Sequence, residues 1–477
     1  MFWLVLSGPA SFAQIRVPRL VSDGMVLQRE MPLRIWGFGT PGEKVTVKFD
    51  GETASGSTGD DGKWIVQLSP KKAGGPYTMD IDGINHIWLK NIMVGEVWAC
   101  FGGEKMELPM EKVAAQYADL IAHADNAPIR QFRIGKRYDY KGPRENVSSG
   151  HWEAASPSSV LGFSAVEYLF ARQLYDHLHV PVGLINAAVA DAPAEAWLSP
   201  GALRSFPEYA AAAARYTDSS FAEGQAPADR TAPGGLYNGM IAPVATFTVR
   251  GILWYQGEVD VKKPGDYRER LTAFIDDCRR AWSEGNLPFI YVQLEGHGPV
   301  GQQPAESQWA ELREAQRLAL GAPGVGMTVA ADLSDSDDLR PKDYDELAKR
   351  LFLSSEGVAL GKTNVIYTGP LYSSMKAHGE KMHVLFDDLN TGLIVKGGGE
   401  LKGFEIAGAD HHFLPAKALI DGKKVYVWND AIPHPMAVRY AWADNPAGAN
   451  LYNRDILFKD GLPAPPFEGG VKTKIRQ

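Results

Sequence analysis

The sequence predicts an α/β protein, a parallel sheet flanked by helices, with antiparallel β modules at its N-terminal and C-terminal ends. Three observations carry this reading. Apolar residues alternate with period two before about residue 92 and again after about residue 365. Between those limits, short apolar runs alternate with amphipathic helical stretches, a pattern that calls for crossover connections and a sheet covered on both faces. At 477 residues and 45% hydrophobic, the chain is long enough for two or three cores.

In the first segment, residues 14–92, Val45, Val47 and Phe49 alternate with Thr46 and Lys48. Trp64, Val66 and Leu68 alternate with Ile65 and Gln67, and Pro41-Gly42 and Asp60-Asp61-Gly62 supply turns. This is the signature of a β domain packed on one face. From Met93 the period changes, and residues 93–362 form the α/β unit. Val97 to Cys100 reads as a buried strand, after which Val113, Tyr117, Leu120 and Ile121 share one helical face. Ser164 and Glu167 have capping-box spacing ahead of a helix that runs through Leu178. Strands are expected at residues 181–186, 250–256, 289–292 and 326–331. The helices between and after them place Tyr267, Leu271, Phe274, Ile275 and Cys278 on one stripe, then cover residues 309–320 and about 343–360. Residues 198–235, rich in Ala, Ser and Pro, read as an insertion, a mobile flap over the strand ends. Residues 363–477 return to short β runs, including 384–386, 425–428 and 438–442, with the Gly397-Gly398-Gly399 turn among them.

Charge and composition narrow the function classes. There are 49 Lys and Arg against 57 Asp and Glu, a net charge of -8 with no dense basic run, which argues against nucleic acid as a partner. No apolar stretch reaches membrane-spanning length. Residues 1–13 are apolar and end in Ser11-Phe12-Ala13, which reads as the remnant of a secretory signal and places the protein in the periplasm or outside the cell. Cys100 and Cys278 both fall among apolar residues and read as buried thiols. Trp98, Trp197, Trp254 and Tyr255 lie beside strands and read as core. His378, His383, His411, His412 and His434 have no Cys or Glu at ligand spacing, and Asp332, Asp335, Asp337 and Asp338 lack the glycine and terminal glutamate of a calcium loop, so neither metal nor cofactor is expected.

Several segments spell a common framework. Residues 95–107 read GEVWACFGGEKME, residues 236–243 read LYNGMIAP, residues 254–260 read WYQGEVD and residues 338–341 read DLRP. Together they resemble the sialate O-acetylesterase family, a branch of the SGNH hydrolases, with patterns near GEVWLCSGQSNME, LYNGMIAP, WYQGESN and DIHP. The resemblance runs from Val21 to Ala464 and implies an SGNH-hydrolase-like sheet and a carbohydrate or glycan ligand. Laid on the family patterns, the serine nucleophile falls on Glu104, the oxyanion-hole asparagine on Asp260 and the catalytic histidine on Arg340, with Asp338 ahead of it. The family's glycine pair in NSSWGGTPIEAW becomes Ala190-Asp191.

Those residue types cannot run a serine esterase. Glu104 is no alkoxide nucleophile, an arginine keeps its proton and cannot act as a general base, and an ionised Asp260 accepts hydrogen bonds where a donor is needed. The altered positions each follow a different strand and are expected to converge with Lys105, Asp191, Gln256, Glu258 and His297 at the carboxyl edge of the sheet. Three readings remain. The charged cluster belongs to a glycan-binding or structural relative in which Arg340 pairs with Glu104 or Asp338. Alternatively, two of its carboxylates serve as acid and base of a glycosidase. A third possibility is an O-acetylesterase with a relocated nucleophile or base, such as Ser334, Ser336 or His297. Oligomeric state is left open.

Overall fold

A computed structural model describes residues 14–215, 231–301, 303–333, 343–454 and 461–470. The proposed signal remnant, part of the expected flap, and Ser334, Ser336, Asp338 and Arg340 lie outside the described residues.

Six strands precede the central sheet: β1 (Val26–Gln28), β2 (Leu33–Phe38), β3 (Lys44–Phe49), β4 (Glu52–Ser57), β5 (Lys63–Leu68) and β6 (Gly74–Asp82). Strands β3 and β5 bury every second side chain, as the alternation requires. The next strand, β7 (His86–Gly102), is long enough to serve two partners. Its first half pairs antiparallel with β6, and its second half enters the central sheet. The expected boundary at residue 92 therefore falls inside one continuous strand, and a single hydrophobic core extends from Ile15 to Phe352.

The central sheet continues with β8 (Asn126–Arg133), β9 (Trp152–Ala155), β10 (Val182–Ala188), β11 (Gly251–Tyr255), β12 (Phe289–Gln293) and β13 (Val325–Val329). Its order is β13-β12-β11-β7-β10-β8-β9, parallel throughout except at the β8/β9 edge. Chain order reverses on either side of β7, so β7 marks the switch point where such sheets open a crevice at their carboxyl ends.

Helices α1 (Glu104–Glu107), α2 (Ala118–Ala122), α3 (Ala165–Leu178), α4 (Pro200–Leu203), α5 (Ala210–Arg215), α6 (Tyr267–Trp282), α7 (Gln308–Leu318) and α8 (Tyr344–Val358) lie in the connections. Two local expectations fail. Val113 ends a separate 3-10 turn, Met110–Val113, and Ile121 belongs to α2, so the two do not share one helix. Ser164 precedes α3 but makes no side-chain cap, because Glu167 turns inward to accept from Gln131 and Asn186. Cys100 and Cys278 are free and buried, and Trp98, Trp197, Trp254 and Tyr255 are all core.

The C-terminal segment contains β14 (Leu371–His378), β15 (Lys381–Asp387), β16 (Leu393–Val395), β17 (Phe404–Ala407), β18 (Leu414–Pro415), β19 (Lys417–Asp421), β20 (Lys424–Trp428), β21 (Ala437–Tyr440), β22 (Leu451–Asn453) and β23 (Phe467–Gly470). Its ladders are antiparallel, and its own core is built on Met382, Val384, Phe404, Val425, Val438 and Phe467.

Candidate active site

Strand register brings the site together. Gly102 stands opposite Tyr255 of β11 and opposite Ala188 of β10, so three chain segments leave the sheet at one level. Only glycine fits at 102, since a Cβ there would lie 2.2 Å from the Tyr255 carbonyl oxygen. The next amide, Gly103, donates to that same carbonyl at 2.9 Å, and α1 begins at once. Glu104, its first residue, is exposed at the carboxyl edge of the sheet, while Lys105 is turned inward and buried.

Lys105 is the hub of the charged residues on the inner side. Its ammonium lies 3.4 Å from Glu258 and in contact with the buried Glu295, and 5.6 Å from the centre of the Tyr255 ring. The Tyr255 hydroxyl donates to Glu295 at 2.8 Å. Burial pulls the Lys105 ammonium below its ordinary value, and the carboxylates of Glu258 and Glu104 pull the other way. Glu258 also lies beside the turn that precedes Glu104, since a Cβ built on Gly103 would lie 3.6 Å from its Oε2.

On the β10 side, the Ala190 amide donates to Glu107 Oε2 at 2.8 Å. The other oxygen of Glu107 is 2.6 Å from Lys136 and 3.8 Å from Arg133. An amide at the strand end is thus occupied by a side chain of the protein itself. Asp191, exposed, holds φ at +59°, a left-handed conformation that an aspartate tolerates in place of glycine.

Asp260 does not open onto this cluster. It is buried, 2.5 Å from Arg270, accepts from the Ala194 amide at 3.1 Å and is bonded to Gln256. Arg270 also reaches Glu195 at 2.8 Å and Asp266 at 2.9 Å. Burial pushes the Asp260 carboxyl up to about 6, with Arg270 opposing. Gln256 is equally committed, donating to the Ala192 carbonyl and accepting from the Tyr267 hydroxyl, each at 3.0 Å. His297 faces away as well: its ring packs on Trp309 at 4.8 Å and its amide donates to the Asp444 carbonyl in the C-terminal segment. Of the nine residues singled out by sequence, Glu104, Lys105 and Glu258 gather at the crevice, and Asp191 lies on the strand-end turn beside it. Gln256, Asp260 and His297 are engaged elsewhere, and Asp338 and Arg340 lie outside the described residues.

Sequence reasoning missed Glu107, Glu295 and Arg270. Glu295 stands two residues beyond β12, where the strand-end rule that found Glu258 would also have found it. No local signal marks Arg270, whose role depends on the turn after β11 folding back over α6.

Comparison with known proteins fits this geometry. A family model described as carbohydrate esterase, sialic acid-specific acetylesterase, matches residues 110–352. The chain is 35% identical to a carbohydrate acetylesterase from Xanthomonas citri, whose crystal structure superposes with a TM-score of 0.85 over 96% of this chain and 99% of that one. The chain belongs to the sialic acid-specific acetylesterase family. Sialate O-acetylesterases of Homo sapiens and Rattus norvegicus are 28% and 27% identical to it, across 95% and 96% of this chain and 92% and 94% of theirs. The family's parallel sheet is therefore the frame on which Glu104, Lys105 and Glu258 are displayed. No helix among the described residues is long and apolar enough to cross a membrane.

Proposed function

We propose that this chain is an exported, carbohydrate-binding member of the family that does not hydrolyse esters by the serine route. The observation that carries the reading is the carboxylate of Glu104 on the first residue after the β7 turn, the position that the family pattern gives to the serine nucleophile. Three further features support it. The Ala190 amide, which could otherwise stabilise an oxyanion, is occupied by Glu107. Asp260 supplies no donor and is locked to Arg270. Lys105, the one buried lysine among the described residues, is held by Glu258 and Glu295.

A second reading is favoured by the proximity of Glu258 to Gly103, which puts two carboxylates at the same crevice mouth, as acid-base cleavage of a glycosidic bond requires. A panel of O-acetylated sugars and chromogenic glycosides tests both. The first reading expects neither acetate nor aglycone above background and no labelling by serine-directed phosphonates. Aglycone release that disappears in Glu104→Ala would establish the second, and acetate release by the unaltered chain would overturn both.

A further inference from the structure

The chain that leaves Glu295 continues through Pro299 and, with residues 303–307, faces the C-terminal segment across a cleft of about 510 Å³, a size typical of small-ligand sites. Val300 forms an exposed apolar lip on one side, and Phe404, Pro415 and Trp442 line the other. Two lining residues hold polar atoms that are buried without a hydrogen-bond partner among the described residues: Glu405 Oε2 and Trp442 Nε1. Trp442 is only 5% exposed, with Arg439 stacked 4.7 Å from its ring. Both atoms belong to side chains that line this one cleft, and a hydrogen-bonding ligand seated there would satisfy them after a small side-chain turn.

We infer that this cleft is a second saccharide-binding site, for a neutral oligosaccharide, separate from the crevice around Glu104. A pyranose offers both halves of the needed chemistry: C–H faces that pack on proline and aromatic carbon, and hydroxyls that donate to a carboxylate and accept from an indole N–H. Charge selects the neutral class. Glu306, Glu405 and Asp444 line the cleft, Arg439 is committed to Glu306 and Glu468, and Lys402 is the one lysine among the lining residues. Burial pushes the Glu405 carboxyl up to about 7, so an added sugar carboxylate would meet a group already costly to ionise.

The saccharide class rests on the carbohydrate reading above, so the test separates the two. Cellohexaose and xylohexaose are titrated into the full chain by calorimetry, with hydrogen exchange followed in both states. Expected are binding of at least one probe, protection of peptides covering residues 299–307 and 441–449, and affinity at least about tenfold weaker in Val300→Arg, an exposed lip substitution that leaves the fold alone. Glu405→Gln, the conservative change, should also weaken binding. Protection confined to residues 102–107 and 258–260, or unchanged affinity in both variants, overturns the cleft site and leaves the carbohydrate reading standing. Absence of binding by either probe overturns both.

Discussion

Glu104 and Asp260, the two acidic residues proposed to stand where the family carries its serine nucleophile and oxyanion-hole asparagine, behave oppositely. Glu104 is exposed, so its substitution should change stability by no more than about 0.5 kcal/mol. Glu104→Ser therefore isolates chemistry from folding. It should still release no acetate, because a serine there finds the Ala190 amide occupied and no donor at Asp260; measurable acetate would show an intact base elsewhere. Asp260→Ala should cost about 3 kcal/mol, the lower end for breaking a buried pair, since Glu195 and Asp266 still hold Arg270. Denaturant titration of both variants reads this contrast, and equal losses would refute it.

At the scale of elements, α3 is fastened to β8 and β10 by a carboxyl inside the core. Glu167 accepts from Gln131 at 2.9 Å and from Asn186, and burial raises it from about 4.5 to about 8. A carboxyl raised on folding favours the folded state fully below its unfolded value, and that contribution is lost as pH rises through the folded one. Stability should thus decline between pH 4.5 and 8 by up to a few kcal/mol from this group alone. Glu167→Gln, with a neighbouring amide turned over, should flatten that slope in chemical denaturation at a series of pH values. An unchanged slope would assign the decline to other groups.

The same helix shows where sequence stops being legible. Its extent is written in local apolar spacing, as are the alternation of β3 and β5 and the strand ends that display Glu104 and Glu258. Ser164 and Glu167 also had the spacing of a cap, but the buried amides of Gln131 and Asn186, distant in sequence, took the carboxylate instead. Arg270 and Asp260 are ten residues apart with no periodic signature, and their pairing exists only once the turn after β11 packs on α6. The length of β7 likewise joins two sheets that composition alone divides at residue 92.

For the whole molecule, the question is what holds the C-terminal segment against the sheet that carries the crevice. Arg313, fully buried on α7, donates to the carbonyls of Leu294 and Glu295 on one side and to those of Ala443 and Asp444 on the other. A planar guanidinium spans four acceptors in this way and a lysine cannot. Asp332, just past β13, is the second fastening: it takes a two-pronged contact from Arg350 and a 2.7 Å hydrogen bond from Tyr452 of β22. Although burial opposes it, Arg350 and Tyr452 hold the Asp332 carboxyl below its ordinary value. Its contribution is therefore present above about pH 4 and lost as pH falls through the folded value. The two fastenings hold different parts of the segment, one the loop after β21 and the other β22. Removing one should loosen docking without unfolding either core, since the hydrophobic clusters of the two parts are separate. Arg313→Lys leaves at least one of the four carbonyls without a donor, at about 1–3 kcal/mol for each buried acceptor left unpaired. Calorimetry of Arg313→Lys should accordingly resolve two transitions where the unaltered chain shows closer coupling, and adding Tyr452→Phe should widen their separation. A single transition shifted as a whole would mean that the two cores unfold as one unit and that these contacts merely add to a shared stability.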